Sequence, residues 1–284
     1  MIRILILALV WILSIVFSVI WSYENPEKVE LIKSYFKKKQ TVEVKKASSN
    51  IQKFTANSFT VEVEKVLDIN DKTAFVTHPT NEDFDAKKLT IYTQSGSVIK
   101  NLVPKKIDLP NSFTLQRNGG IKTIIYNGQE VFALISAKEK DCFFALLTNI
   151  ENKRELFKTE CLPEKAKNND FNGLGSSNLH VDGKILFSIG TPEKHASKNS
   201  LLAQDKNSKF GKILEIDKNQ LNKDQKVEVK VFSIGHRVPQ GLTKLRNQIF
   251  AVEHGPKGGD ELNAIKREAN YGWPLASYGT NYMK

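Results

Sequence analysis

The chain is predicted to be all-β, and three observations predict it. From residue 57 onward hydrophobicity alternates with a period of two, as in Phe59-Val61-Val63 against Thr60-Glu62-Glu64, which is the spacing of a half-buried strand. Short apolar runs then recur along the chain, separated by Gly, Asn and Asp turns. One such turn, Asn127-Gly128-Gln129, lies between Ile124-Ile125-Tyr126 and Val131-Phe132-Ala133-Leu134-Ile135 and is a strong hairpin signal. Many short strands at near-regular spacing fit a sandwich, a barrel or a propeller, and spacing alone does not choose among them.

Residues 4–21 form an apolar run broken only by Ser14 and Ser18, with Arg3 before it. Its length nearly spans a hydrocarbon core. The run ends in Val19-Ile20-Trp21-Ser22-Tyr23, bulky where a signal cleavage site needs small residues, and Trp21 and Tyr23 suit a membrane interface. Residues 1–25 are therefore predicted to be a transmembrane anchor, with a cleaved signal as the alternative. Lys28, Lys33, Lys37, Lys38 and Lys39 follow, and the positive-inside rule alone would place that side in the cytoplasm. Residues 26–40 read as a short polar helix opened by Pro26, and the Lys/Ser/Gln-rich stretch 41–56 as a linker.

Further strands are predicted on either side of Gln94-Ser95-Gly96-Ser97, and over 142–147, 155–158, 184–189, 212–216, 227–234 and 248–252. Cys142 and Cys161 sit near opposite ends of a hairpin turning at Glu151-Asn152-Lys153. In an exported domain such a pair reads as a disulfide; two buried free thiols are the alternative. The formal charge is +11, yet the chain has six arginines, and its lysines are interleaved with Glu and Asp instead of clustered between aromatics. That pattern describes a solvated surface and argues against nucleic-acid binding.

The most unusual stretch is His254-Gly255-Pro256-Lys257-Gly258-Gly259-Asp260-Glu261-Leu262, closing with Asn270-Tyr271-Gly272-Trp273-Pro274. Three glycines and a proline within residues 255–259 permit positive φ and bring bare backbone close to whatever lies above. The carbonyls of such a loop can face a hard cation while its carboxylates order it; a tight loop without any ligand has the same composition. Upstream stand Gly235-His236-Arg237-Val238-Pro239-Gln240-Gly241-Leu242, and before that Ala203-Gln204-Asp205-Lys206-Asn207-Ser208 with Gly211-Lys212-Ile213-Leu214-Glu215-Ile216.

In this order the motifs resemble the glucose/sorbosone dehydrogenase family, the soluble sugar dehydrogenases that depend on pyrroloquinoline quinone (PQQ). The family forms are A-Q-D-x-x-S…G-K-[IV]-L-x-[IL], G-H-R-N-P-Q-G-L, and H-G-P-[RK]-G-G-D-E-L-N followed by N-Y-G-W-P. The resemblance covers residues 171–284. It implies a six-bladed β-propeller with the site over the central channel. At roughly 45–50 residues per four-stranded blade, the domain over 57–284 holds about four to five blades, so the expectation is a propeller incomplete at its C-terminus.

The resemblance also implies PQQ and Ca²⁺ as cofactors, an aldose as substrate, and a domain in the periplasm or otherwise outside the cytoplasm. The electron acceptor stays unassigned. The backbone carbonyls of Gly255 and Pro256 would hold the metal and Arg237 would bind the quinone, while His236 would be structural. Three departures stand against this. The family's base, a histidine, falls on Asn172, whose amide accepts no proton near neutral pH; His180 and His195 are the nearest histidines. Val238 replaces an asparagine beside Arg237. The cationic residues the family supplies from its last blades have no counterpart. The expected function is a PQQ- and calcium-dependent sugar dehydrogenase weakened at its base. The alternatives are a non-catalytic propeller that binds without turnover, and a membrane-anchored β-domain of another kind.

Overall fold

A computed structural model describes residues 42–46, 51–56, 59–77, 85–163, 177–192 and 198–280. The chain divides into two compact units, residues 1–42 and 43–284, and the second is built of strands and short 3-10 turns. It begins with β1 (Val44–Lys46), the hairpin β2 (Ile51–Ala56) and β3 (Phe59–Glu64), and β4 (Leu67–Ile69), which returns to pair with β1. The stretch read as a linker thus contains two strands. Val44 finds a partner in Ile69, and Lys53 of the hairpin pairs with Glu62 directly across the ladder, contacts that no local pattern specifies.

Four antiparallel sheets follow in chain order. The first has β5 (Thr73–Thr77), β6 (Thr90–Thr93), β7 (Ser97–Lys100) and β8 (Val103–Lys106). The second has β9 (Ile121–Asn127), β10 (Glu130–Glu139), β11 (Cys142–Asn149) and β12 (Glu155–Lys158), with β13 (Leu162–Pro163) on the far end of β11. The third has β14 (Asn178–Val181), β15 (Lys184–Ile189), β16 (Lys212–Asp217) and β17 (Lys230–Ile234). The fourth has β18 (Pro239–Leu245), β19 (Gln248–Glu253) and β20 (Glu261–Ile265). Each sheet is a meander, and its first strand touches the first strand of the next: β5 meets β9, β9 meets β14, and β14 meets β18. This is a four-blade propeller arrangement, which selects the propeller from the three predicted classes.

The first strands are stitched by side chains. Asn178 Nδ2 donates to Thr123 Oγ1 and to Ile124 O, each at 2.8 Å, and Leu242 N donates to Ser177 Oγ at 2.6 Å. Three apolar cores lie between successive blades. In β10, Phe132 and Leu134 pack toward the third blade while Ala133, Ile135 and Ala137 pack toward the first. In β11, Phe143, Ala145 and Leu147 face one way and Phe144 and Leu146 the other. A strand sandwiched between two blades has no solvent face, so its sequence is a continuous apolar run. That is why 131–135 and 143–147 do not alternate.

Cys142 and Cys161 are joined in a disulfide. β13 lies against β11 with Cys142 opposite Pro163, and the β11–β12 hairpin turns at 150–154 as its sequence predicts. Among the described residues no helix is long and apolar enough to cross a membrane. The anchor predicted over 1–25 and the polar helix over 26–40 lie outside them.

Candidate functional site

The three motifs converge at one end of the third and fourth blades. β17 leaves its sheet at Gly235, and the chain crosses through His236, Arg237 and Val238 into β18. β19 ends at Glu253, which stands opposite Glu261 at the start of β20, so residues 254–260 form the loop joining them. Beyond β20, residues 268–273 run alongside β17: Ile234 N donates to Ala269 O at 3.0 Å, Tyr271 N to Ile234 O at 2.9 Å and Trp273 N to Gly235 O at 3.0 Å. Gly235 has φ +78°, and a Cβ there would strike the Asn270 side-chain oxygen and the amides of Tyr271 and Gly272. Glycine is required because another backbone lies on it. Gln204 and Asn270 exchange amide hydrogen bonds at 2.7 and 3.1 Å, tying the upstream motif to the downstream one.

Beneath this junction lies a buried polar network. An ionised carboxylate only accepts, so His236 Nδ1 donates to Glu253 Oε1, at 2.6 Å, and the ring's Nε2 meets Ser233 Oγ at 2.7 Å. Tyr271 stacks on the imidazole with ring centroids 4.7 Å apart. Glu253 Oε2 accepts from Arg237 N at 2.8 Å, and Asn263 Nδ2 reaches Glu253 Oε1 at 3.2 Å and Glu261 Oε2 at 2.9 Å. His236 is wholly buried and serves as a structural pin.

Arg237 is the cation of the site. It is buried, its guanidinium carbon lies 5.2 Å from the centroid of the Trp273 ring, and Nη1 donates to His254 O at 2.9 Å and Gly255 O at 2.8 Å. Its own carbonyl accepts from Thr191 N at 2.7 Å. The loop is equally constrained. Pro256 O accepts from Gly259 N at 2.8 Å, Gly255 N donates to Asp260 Oδ1 at 3.1 Å, and a Cβ on Gly255 would collide with the Gly259 carbonyl. Val238 contributes a carbonyl that accepts from His254 N at 3.0 Å. Its side chain brings no polar atom.

These residues line an open cleft of about 240 Å³, with Arg237, Glu253, Gly255, Pro256, Glu261 and Trp273 among its walls. Trp273 Nε1 is buried there without a hydrogen-bond partner. Among the described residues no three His, Cys, Asp or Glu side chains converge as a metal cluster. A hard cation here would rest on the carbonyl oxygens of Gly255 and Pro256, the first of which already accepts from Arg237 Nη1 at 2.8 Å. Carbonyl oxygen is a donor type that Ca²⁺ takes, and a guanidinium is a donor suited to one edge of a planar anion.

Asn172 and His195 lie outside the described residues. His180 sits exposed on β14, is not among the walls of the cleft, and titrates below the usual histidine range because partial desolvation of its ring and then Lys218 disfavour its charged form. Sequence reasoning passed over Glu253 and Ser233, and quoted Trp273 in its motif without giving it a role. An acidic residue closing the apolar run 249–252 and a serine three residues before His236 were the available signals.

The chain is a β-propeller whose third and fourth blades hold a buried arginine against a glycine-rich carbonyl loop. The Glucose / Sorbosone dehydrogenase family matches residues 124–284, more than half of the chain. The chain belongs to that family. It is similar to aldose sugar dehydrogenase YliI of Escherichia coli, 32% identical over 145 residues, which are 48% of this chain and 37% of that protein. Quinoprotein glucose dehydrogenase B of Acinetobacter calcoaceticus is 32% identical over 135 residues, 37% of this chain and 28% of that protein. The chain thus matches little more than a third of the length of the first relative and less of the second.

Among solved structures, the soluble aldose sugar dehydrogenase of Escherichia coli in its apo-form superposes with a TM-score of 0.60 at 18% identity, covering 86% of this chain and 69% of that one. The PQQ-bound form of aldose sugar dehydrogenase from Streptomyces coelicolor gives 0.50 at 20% identity, covering 83% and 67%. At these identities the likeness is one of fold.

Proposed function

We propose that this chain is the quinone-gripping part of a PQQ- and Ca²⁺-dependent sugar dehydrogenase acting on an aldose. The observation that carries the reading is Arg237, buried over Trp273 and clamped to the Gly255 carbonyl at 2.8 Å, at the point where all three family motifs meet. When bound, PQQ would supply a hydride acceptor for the hydroxyl-bearing carbon of the sugar, and the cation would supply its polarisation. Gly255 and Pro256 present the carbonyls that would hold the cation. Arg237 would set a planar, permanent positive charge against one edge of the quinone, and Trp273 forms one wall of that cleft.

The hydroxyl proton is the weak point. On the resemblance, the family's base falls on Asn172, and loss of a general base typically lowers turnover about 10²–10⁴-fold. Turnover is therefore expected to be low or nil even where PQQ binds, which also keeps a purely binding role as the second reading. The test combines PQQ titration followed by visible absorbance with dye reduction by aldoses in PQQ and CaCl₂. PQQ binding that is lost in Arg237→Gln, with little sugar-dependent dye reduction, is the expected result. Failure to bind PQQ overturns the reading, and brisk oxidation would place the base at His180 or His195 instead.

A further inference from the structure

Glu253 and Glu261 oppose each other across the β19–β20 ladder, and both line the cleft. Like charges so placed repel. Asn263 bridges them with one amide group, His236 Nδ1 and the Arg237 backbone N–H also meet Glu253, and the Arg237 guanidinium shares its Nη1 between the carbonyls of His254 and Gly255. Two carbonyls converge on one cationic nitrogen in a cleft that two carboxylates also line, and in this chain that cation is a side chain. A Ca²⁺ ion would approach the Gly255 oxygen to about 2.3–2.6 Å, while the arginine nitrogen already stands 2.8 Å from the same atom. Both together would set two cations roughly 5 Å or less apart in a poorly solvated cleft, where like charges repel far more strongly than in water.

Building on the function proposed above, we propose that Arg237 is a tethered competitor for the metal. A hard divalent cation enters the loop only as the guanidinium leaves the Gly255 carbonyl, and the released guanidinium becomes available to an anionic ligand. Metal occupancy and anion capture are then one coupled event, and each ligand raises affinity for the other.

The test is calorimetric titration of the full chain with CaCl₂, comparing wild type with Arg237→Gln and Arg237→Lys, each checked for folding by circular dichroism. Arg237→Gln should bind Ca²⁺ at least tenfold more tightly than wild type. Arg237→Lys should fall between, because a flexible ammonium holds the carbonyls less firmly. Equal affinities, or no Ca²⁺ binding by either wild type or the glutamine variant, overturn the proposal. If Arg237→Gln fails to fold, a gain below about threefold for Arg237→Lys does the same. PQQ titration of wild type separates the two readings. PQQ binding without any effect of Arg237 on Ca²⁺ removes only the competitor, whereas a tenfold Ca²⁺ gain without PQQ binding removes only the dehydrogenase.

Discussion

Lys212 carries an ammonium into a fully buried position, where it donates to the carbonyls of Leu202 at 2.7 Å, Ala203 at 3.0 Å and Phe210 at 2.7 Å. Three donors meet three acceptors, so the group is satisfied. Burial still pushes its pKa down from 10.5 to about 8, with Glu160 and Asp205 pulling the other way. The unfolded chain, titrating near the ordinary value, binds more protons than the native one between these limits. This group's contribution to stability therefore rises with pH from about 8 to 10.5, and its burial penalty is felt in full below about 8. Lys212→Met leaves the carbonyls unpaired and is expected to cost about 1–3 kcal/mol at pH 7. Urea unfolding at pH 7.0, 9.0 and 10.0 should show the gap between wild type and variant widening with pH; a constant gap would refute the assignment.

At the scale of elements, the decisive contact is the backbone of 268–273 laid along β17. It carries Trp273 under Arg237 and Tyr271 onto His236. Gly235→Ala would place a side chain at positive φ, costing about 1–2 kcal/mol, and would press on the neighbouring backbone as well. A total loss of about 2–4 kcal/mol is expected, with a red shift of tryptophan emission as Trp273 loses its seat. A loss below 0.5 kcal/mol with unchanged emission would mean the two segments are not coupled. The elements differ in how plainly the sequence announces them. β12 and β15 coincide with their apolar runs and the 127–130 turn with its glycine, because local pattern and environment agree there. β8, Val103–Lys106, contains a proline and is exposed throughout, as an edge strand tolerates. Only pairing with β7 makes it a strand.

For the molecule as a whole, the blades are held by apolar cores between them and by a disulfide in the second blade. A disulfide is at home in an oxidising compartment, which supports the proposal that the β-unit works outside the cytoplasm, anchored by residues 1–25. The expected result is recovery in the membrane fraction with residues 1–25 retained, and digestion of the domain when spheroplasts are treated with protease. A mature N-terminus at or beyond Ser22 would rule out the anchor, and a protected domain would rule out the orientation.

The amino-acid sequence by itself determined the all-β class, most strand positions in 89–252 and the motifs that flank the cleft, because each is written in short-range pattern or in an unusual motif, while the cysteine pairing it left open was decided by the fold. It did not determine that the sheets stack as propeller blades, since a two-faced apolar strand reads the same in any buried sheet. Nor did it determine the chemistry inside the cleft. Glu253 and Glu261 become neighbours only through the register of β19 and β20, Arg237 meets Trp273 only because 268–273 returns along β17, and the guanidinium reaches the Gly255 carbonyl only when the two crossing segments are folded together. Those contacts join residues far apart in the chain, and distance in the chain carries no record of which side chains will share one charge.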